Sequence, residues 1–227
     1  MTTAFGLIAK TLSGEVPPRI LLWGLLNTLN RSLKTGNRRY EFERLYLESP
    51  DPWNYRSSPY ELQKYERVLA CALEWRNGCE SALEIGCSVG VFSRMLTDHF
   101  DEVTAIDVSK EALAAATRHN RAVKNLRFMH RDMQSLDTDG LYDVIICAEV
   151  LYYIGENDVE IVCRQLDKYL SARGVILLVT GVSSEPKVSS YFDGWADIFA
   201  ARFQQASKEI IQDPVRPYLI AVFSRRL

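Results

Sequence analysis

Leu83-Glu84-Ile85-Gly86-Cys87-Ser88-Val89-Gly90 decides the fold. An apolar run enters this stretch, and a helical pattern of Phe92, Met95 and Leu96 leaves it. That is a strand passing into a helix through a tight turn. Gly86 permits the turn and lets backbone come close to a ligand. Cys87 and Ser88 are small enough to keep that approach open, and Gly90 lets the helix pack near the strand.

Working outward, apolar runs of strand length stand at 82–86, 103–107, 126–130, 142–148 and 174–180. Helical patterns separate them, with Leu113, Ala115 and Ala116 on one face and then Val162, Leu166, Tyr169 and Leu170. Ser109 caps the second of these helices, with Glu111 at its positive end. Asn157 with Glu160 resembles a capping box, and Gly174 fits the stop of a helix ending near Ser171. Strand–helix alternation with near-continuous apolar strands predicts an α/β domain, a doubly wound parallel sheet covered on both faces. The tail departs from that rhythm. A helix over 188–202 is followed by strands at 206–211 and 218–223 around Asp213-Pro214, an antiparallel hairpin finishing the sheet. The chain divides into an amphipathic extension (1–38), an aromatic cap with a lead-in helix over 60–76 (39–80), and the α/β core (81–227).

Ligands of such sheets bind beyond the carboxyl ends of the strands, where strand order reverses. Asp107 ends the second strand, and its carboxylate is suited to accept from both hydroxyls of a ribose. Asp132-Met133 follows the third strand, where Asp can accept from an adenine amino group and Met can cover the ring. Taken singly, each Asp is as readily a helix cap or a solvated turn. A dinucleotide site wants glycine where Ser88 stands, so NAD is disfavoured.

The 227 residues are 47% hydrophobic with a net charge of −2, which gives no global reason to expect nucleic-acid binding. Five cysteines form no CxxC pair, and no two of the three histidines share a metal-ligand spacing. They read as buried thiols in a reducing compartment with no metal site. The run Ile20 to Leu26 is too short to span a bilayer, and a cytoplasmic protein is the expectation. Residues 1–40 carry six Lys/Arg against the single Glu15. Within them Leu22, Leu25, Leu26, Leu29 and Leu33 form a helical stripe. Residues 17–38 thus suit a peripheral membrane contact, a dimer seam or a cover for the domain's own edge.

Glu84 to Gly90, Asp107, Asp132 and the run Asp143 to Ile154, with Glu149 inside it, resemble the motif series of class I S-adenosylmethionine (SAM)-dependent methyltransferases. Upstream, Phe42 to Tyr46, Asp51-Pro52-Trp53 and Tyr60-Glu61-Leu62-Gln63-Lys64-Tyr65 are similar to the nodulation protein S-like subfamily. The resemblance implies a Rossmann-like, seven-stranded, mostly parallel sheet with an antiparallel terminal strand plus N-terminal helices. SAM carries no phosphate and does not need the missing glycine. Cofactor contacts are expected at Tyr60, Lys64, Glu84, Gly86, Cys87, Ser88, Gly90, Asp107, Val108, Asp132, Met133 and Glu149, with Lys64 pairing the SAM carboxylate.

The subfamily's namesake N-methylates the amine of a glucosamine unit in a chitooligosaccharide. The resemblance therefore implies an N-methyltransferase of an amino sugar or related small amine. A small-molecule O-methyltransferase and a non-catalytic SAM-binding module are the alternatives. Trp53, Tyr55 and Tyr152 are candidate acceptor contacts, because flat apolar faces with polar edges suit a sugar; equally, such aromatics pack a helix onto a sheet. Glu149 is the candidate acid/base with Tyr153 beside it, although the same carboxylate could orient backbone or the SAM amino group. Gly181 to Tyr191 has the composition of an acceptor lid.

Overall fold

A computed structural model describes residues 38–75, 81–182 and 195–226. The extension up to residue 37 and most of the expected lid lie outside the described residues. Among the described residues two helices lead in, α1 (Arg38–Glu48) and α2 (Pro59–Glu74). The core follows as β1 (Ser81–Ile85), α3 (Val91–Leu96), β2 (Glu102–Asp107), α4 (Lys110–His119), β3 (Leu126–His130), β4 (Tyr142–Ala148), α5 (Glu156–Tyr169) and β5 (Leu170–Gly181). A helix described from 195 to 202 (α6) precedes β6 (Phe203–Ile211) and β7 (Tyr218–Arg225).

The seven strands order as β3-β2-β1-β4-β5-β7-β6. Six run in one direction, and β7 lies antiparallel between β5 and β6. Strand order reverses beside β1, so β1 and β4 diverge at their carboxyl ends and leave a crevice there. Alternation along each strand divides the core between the two faces of the sheet. Leu83, Ile85, Ile145, Cys147, Ile176 and Leu178 pack under α5 and α6, against Val162, Leu166 and Phe199. Ala82, Val144, Ile146, Leu177 and Val179 pack under α2 and α3, against Val68, Phe92 and Leu96. This is the doubly wound sheet with a terminal antiparallel pair that the apolar runs predict.

Several local expectations are corrected. Gly155, not Asn157, is the N-cap of α5, with no side-chain cap bond. Gly174 lies within β5 rather than at a helix stop. A Cβ there would meet Leu170 and the Tyr142 carbonyl, so close packing selects that glycine. Ser109 does cap α4, accepting from the Ala112 N–H at 3.1 Å. Among the described residues no helix is long and apolar enough to cross a membrane. Nor, among them, does any group of three His, Cys, Asp or Glu stand ready for a metal ion.

Candidate functional site

The turn after β1 hangs on the end of β2, with the Gly86 and Cys87 N–H groups donating to the Ile106 carbonyl at 2.8 and 2.9 Å. Gly86 sits at φ +76, and a Cβ on it would lie 2.3 Å from Val150 Cγ1. Ser88 shares the left-handed region at φ 51, and Gly90 (φ +74) starts α3 against Phe128 and Asn120. This coil points the Ser88 N–H at Asp107 Oδ2, 2.9 Å away, while the Ser109 N–H donates to Oδ1, also at 2.9 Å. Burial pushes the Asp107 carboxyl up, and the amides of Ser109, Ser88 and Val108 pull it back. Ser88 and Ser109 take one lone pair on either oxygen, and the carboxylate keeps capacity for a further donor.

Beyond the turn lies a cleft of about 100 Å³. Gly86, Ser88, Asp107, Val108, Met133 and Glu149 line one side. Phe42, Tyr46, Trp53, Tyr55 and Tyr153 form an aromatic wall on the other. Phe42, Val108, Met133 and Tyr153 also border a second lobe, which holds Asp132 and Asp158. The residues fit an adenosyl group: a turn too tight for a Cβ, a doubly held carboxylate one strand away, and apolar cover from Val108 and Met133.

The expected aromatic residues divide. Trp53 and Tyr55 stack at 5.7 Å on the cleft wall, whereas Tyr65 stacks on Phe92 at 5.0 Å within the core. Tyr152 is not in the lining; its hydroxyl donates to that of Tyr153 at 3.2 Å. Asp132 borders the second lobe, caps a short turn by accepting from the Gln134 N–H, and pairs with Arg39.

Five expected cofactor residues do not line the cleft. Gly90 and Cys87 are packing positions, the latter against Ala105 and Leu113. Glu84 is buried in the sheet, accepting from the Ser93 hydroxyl, and burial pushes its carboxyl up to about 7. Tyr60 donates to the Arg216 carbonyl at 3.0 Å. Lys64 is 2% exposed and bonded to Glu61 at 2.7 Å and to Glu149 at 3.3 Å, so its charge is spent inside the protein. His130 is exposed at the end of β3 with Nε2 2.9 Å from the Val108 carbonyl.

Glu149 stands in the left-handed region, φ 57, at the end of β4. Its Oε1 meets Lys64 and, at 3.2 Å, Arg216; its Oε2 accepts from the Gly181 N–H at 3.2 Å. Burial alone would raise its carboxyl. Lys64, Arg216 and the Gly181 amide outweigh that and hold it below the usual carboxylate value.

The sequence reading missed Arg216, Tyr46, Glu43, Arg39 and Arg131, the last of which lines the cleft. Arg216 comes from the β6–β7 connection and lies over the Tyr60 ring at 5.7 Å. Tyr46 and Phe42 carried a local signal, aromatics four apart on α1, but not one that says what they face.

The strand order, the reversed β7 and a cleft at the carboxyl ends of β1, β2 and β4 define a class I methyltransferase fold. In the solved N-methyltransferase NodS of Bradyrhizobium japonicum WM9, in complex with S-adenosyl-L-homocysteine (SAH), the likeness has a TM-score of 0.72 at 22% identity. It covers 83% of this chain and 99% of that one. The magnesium protoporphyrin IX methyltransferase of Synechocystis PCC 6803, solved with bound SAM, gives a TM-score of 0.66 at 17% identity, over 85% and 99% of the two chains. The family model for nodulation protein S (NodS) matches residues 36–183, and the chain belongs to that family. Nodulation protein S of Rhizobium tropici is 32% identical over 124 residues, 55% of this chain and 51% of the relative. The chain spans about half the length of the curated relatives of that name.

Proposed function

We propose that this protein is a SAM-dependent N-methyltransferase acting on an amino sugar or a related small amine. One observation carries the reading: an Asp107 carboxylate, held by two amides, beside a hollow that Gly86 keeps open. Membership of the NodS family supports the N-methyl chemistry. When bound, SAM supplies an electrophilic methyl group. In this reading Asp107 accepts from the ribose hydroxyls, and Val108 with Met133 covers the adenine. The backbone at Gly86 and Ser88 lies against the remainder of the cofactor. Trp53, Tyr55 and Tyr153 exclude water and offer faces on which a sugar ring stacks.

Glu149 receives a positioning role in place of acid/base work. With two cations and an amide on its oxygens it stays ionised and is a poor proton acceptor. Its bonds tie the end of β4, hence the turn bearing Tyr153, to α2, β5 and the β6–β7 connection. The amine must therefore arrive with its lone pair free, and Tyr153 is a polar group on the wall. A cytoplasmic protein fits this function, with residues 17–38 suited to a peripheral membrane contact, a dimer seam or a cover for the domain's own edge.

The test is transfer of label from methyl-labelled SAM to a panel of glucosamine oligosaccharides, simple amines and hydroxylated compounds. Label on the free amine of a glucosamine-bearing acceptor is expected. Transfer to hydroxyl groups only, or to no glucosamine-bearing compound, contradicts the proposal.

A further inference from the structure

Two serines hold the Asp107 carboxylate, and both are gripped in turn from α1. The Tyr46 hydroxyl donates to Ser88 Oγ at 2.5 Å. The Ser109 hydroxyl donates to Glu43 Oε2 at 2.6 Å while its Oγ accepts from the Ala112 N–H. Glu43 and Tyr46 are three residues apart, so one face of α1 presents both. Ser88, Asp107, Ser109 and Tyr46 are all buried. A hydroxyl lost from such a place cannot be replaced by water without cost. Ser88 moreover sits at φ 51, a conformation a serine keeps only when its surroundings hold it there. Those surroundings are the Asp107 carboxylate on its amide and the Tyr46 hydroxyl on its side chain. Glu43 itself pushes the Asp107 carboxyl up. A second carboxylate this near does not help the first to ionise, so the contact has to be explained by geometry.

We propose that Tyr46 and Glu43 are positioning residues for the cofactor: through Ser88 and Ser109 they fix the direction in which Asp107 presents its lone pairs to the ribose. The inference rests on the SAM reading above and adds to it a pair of residues that α1 contributes across a sequence gap of 42 and 66 positions. Such aiming lowers the ordering cost of binding, so its loss weakens affinity without removing a ligand contact.

The test is isothermal titration with SAH, with the unfolding midpoint of each variant measured alongside and the titration run well below it. Tyr46→Phe keeps the ring in the cleft wall and removes only the hydroxyl. Glu43→Ala removes the acceptor for Ser109, and Glu43→Gln restores one. Tyr46→Phe and Glu43→Ala are each expected to weaken SAH roughly 3- to 10-fold, with Glu43→Gln close to the parent. Tyr46→Phe and Ser88→Ala, which break the same bond, are expected to cost no more together than the larger does alone. Parent-like affinity in Tyr46→Phe and Glu43→Ala, alongside lost affinity in Asp107→Ala, overturns the positioning role and leaves the cofactor reading intact. Failure of the parent protein to bind SAH overturns the cofactor reading itself.

Discussion

Lys64→Met removes an ammonium buried between Glu61 Oε2 at 2.7 Å and Glu149 Oε1 at 3.3 Å, while keeping most of the apolar stem. Glu149 retains Arg216 and the Gly181 amide, but Glu61 loses the cation at its buried oxygen. Breaking a buried ion pair from one side costs roughly 3–5 kcal/mol. Because Arg216 stays, the lower end is expected, about 3 kcal/mol at pH 7. Burial works against the Lys64 charge, yet Glu149 and Glu61 raise its pKa above the ordinary 10.5. Its contribution is therefore complete below that value and lost as pH rises through the folded one. The depressed Glu149 contributes above the ordinary 4.5 and loses it as pH falls through its folded pKa. Neutral pH lies between these windows, so urea unfolding at pH 7 reads the full loss. In acid, Glu149 without Lys64 takes up its proton sooner than in the parent, which relieves the uncompensated charge, and the gap to the parent narrows. A variant within about 0.5 kcal/mol of the parent at pH 7, or an equal gap at pH 4 and pH 7, refutes this account of the cluster.

Two further outcomes follow from buried positions near the cleft. The Glu84 carboxyl, pushed by burial to about 7, destabilises the fold as pH rises from about 4.5 through 7, by about 3 kcal/mol in all. Glu84→Gln should flatten that slope in unfolding experiments at pH 5 and 8, and an unchanged slope contradicts it. Gly86→Ala places a methyl 2.3 Å from Val150 Cγ1 at φ +76 and should cost about 2–4 kcal/mol in chemical denaturation; a loss under about 0.5 kcal/mol speaks against the tightness of the turn.

What the sequence made legible was local. The Gly86 turn, Asp107 at a strand end and the Ser109 cap each depend on residues a few positions apart, and their spacing reports them. The reversed hairpin was legible too, because two apolar runs with only the short turn around Asp213-Pro214 between them leave no room for a crossover helix. Lys64 shows where such reasoning stops. Its helical position says that it faces inward but not whether a ligand or Glu149 waits there. Arg216 joins Glu149 across 67 residues and Tyr46 joins Ser88 across 42, contacts that exist only once the sheet has assembled. Gly174 misled for a related reason: the glycine answers a close approach by Leu170 and Tyr142, which mimics a helix stop in sequence.

The central claim is that the hollow at Gly86 holds an adenosyl group through Asp107. Isothermal titration of SAH into the parent and Asp107→Ala proteins tests it most directly. Binding by the parent, weakened in the variant by about 1.5–3 kcal/mol for the lost charge-assisted bonds, is the predicted result. Equal affinity in the two proteins contradicts it.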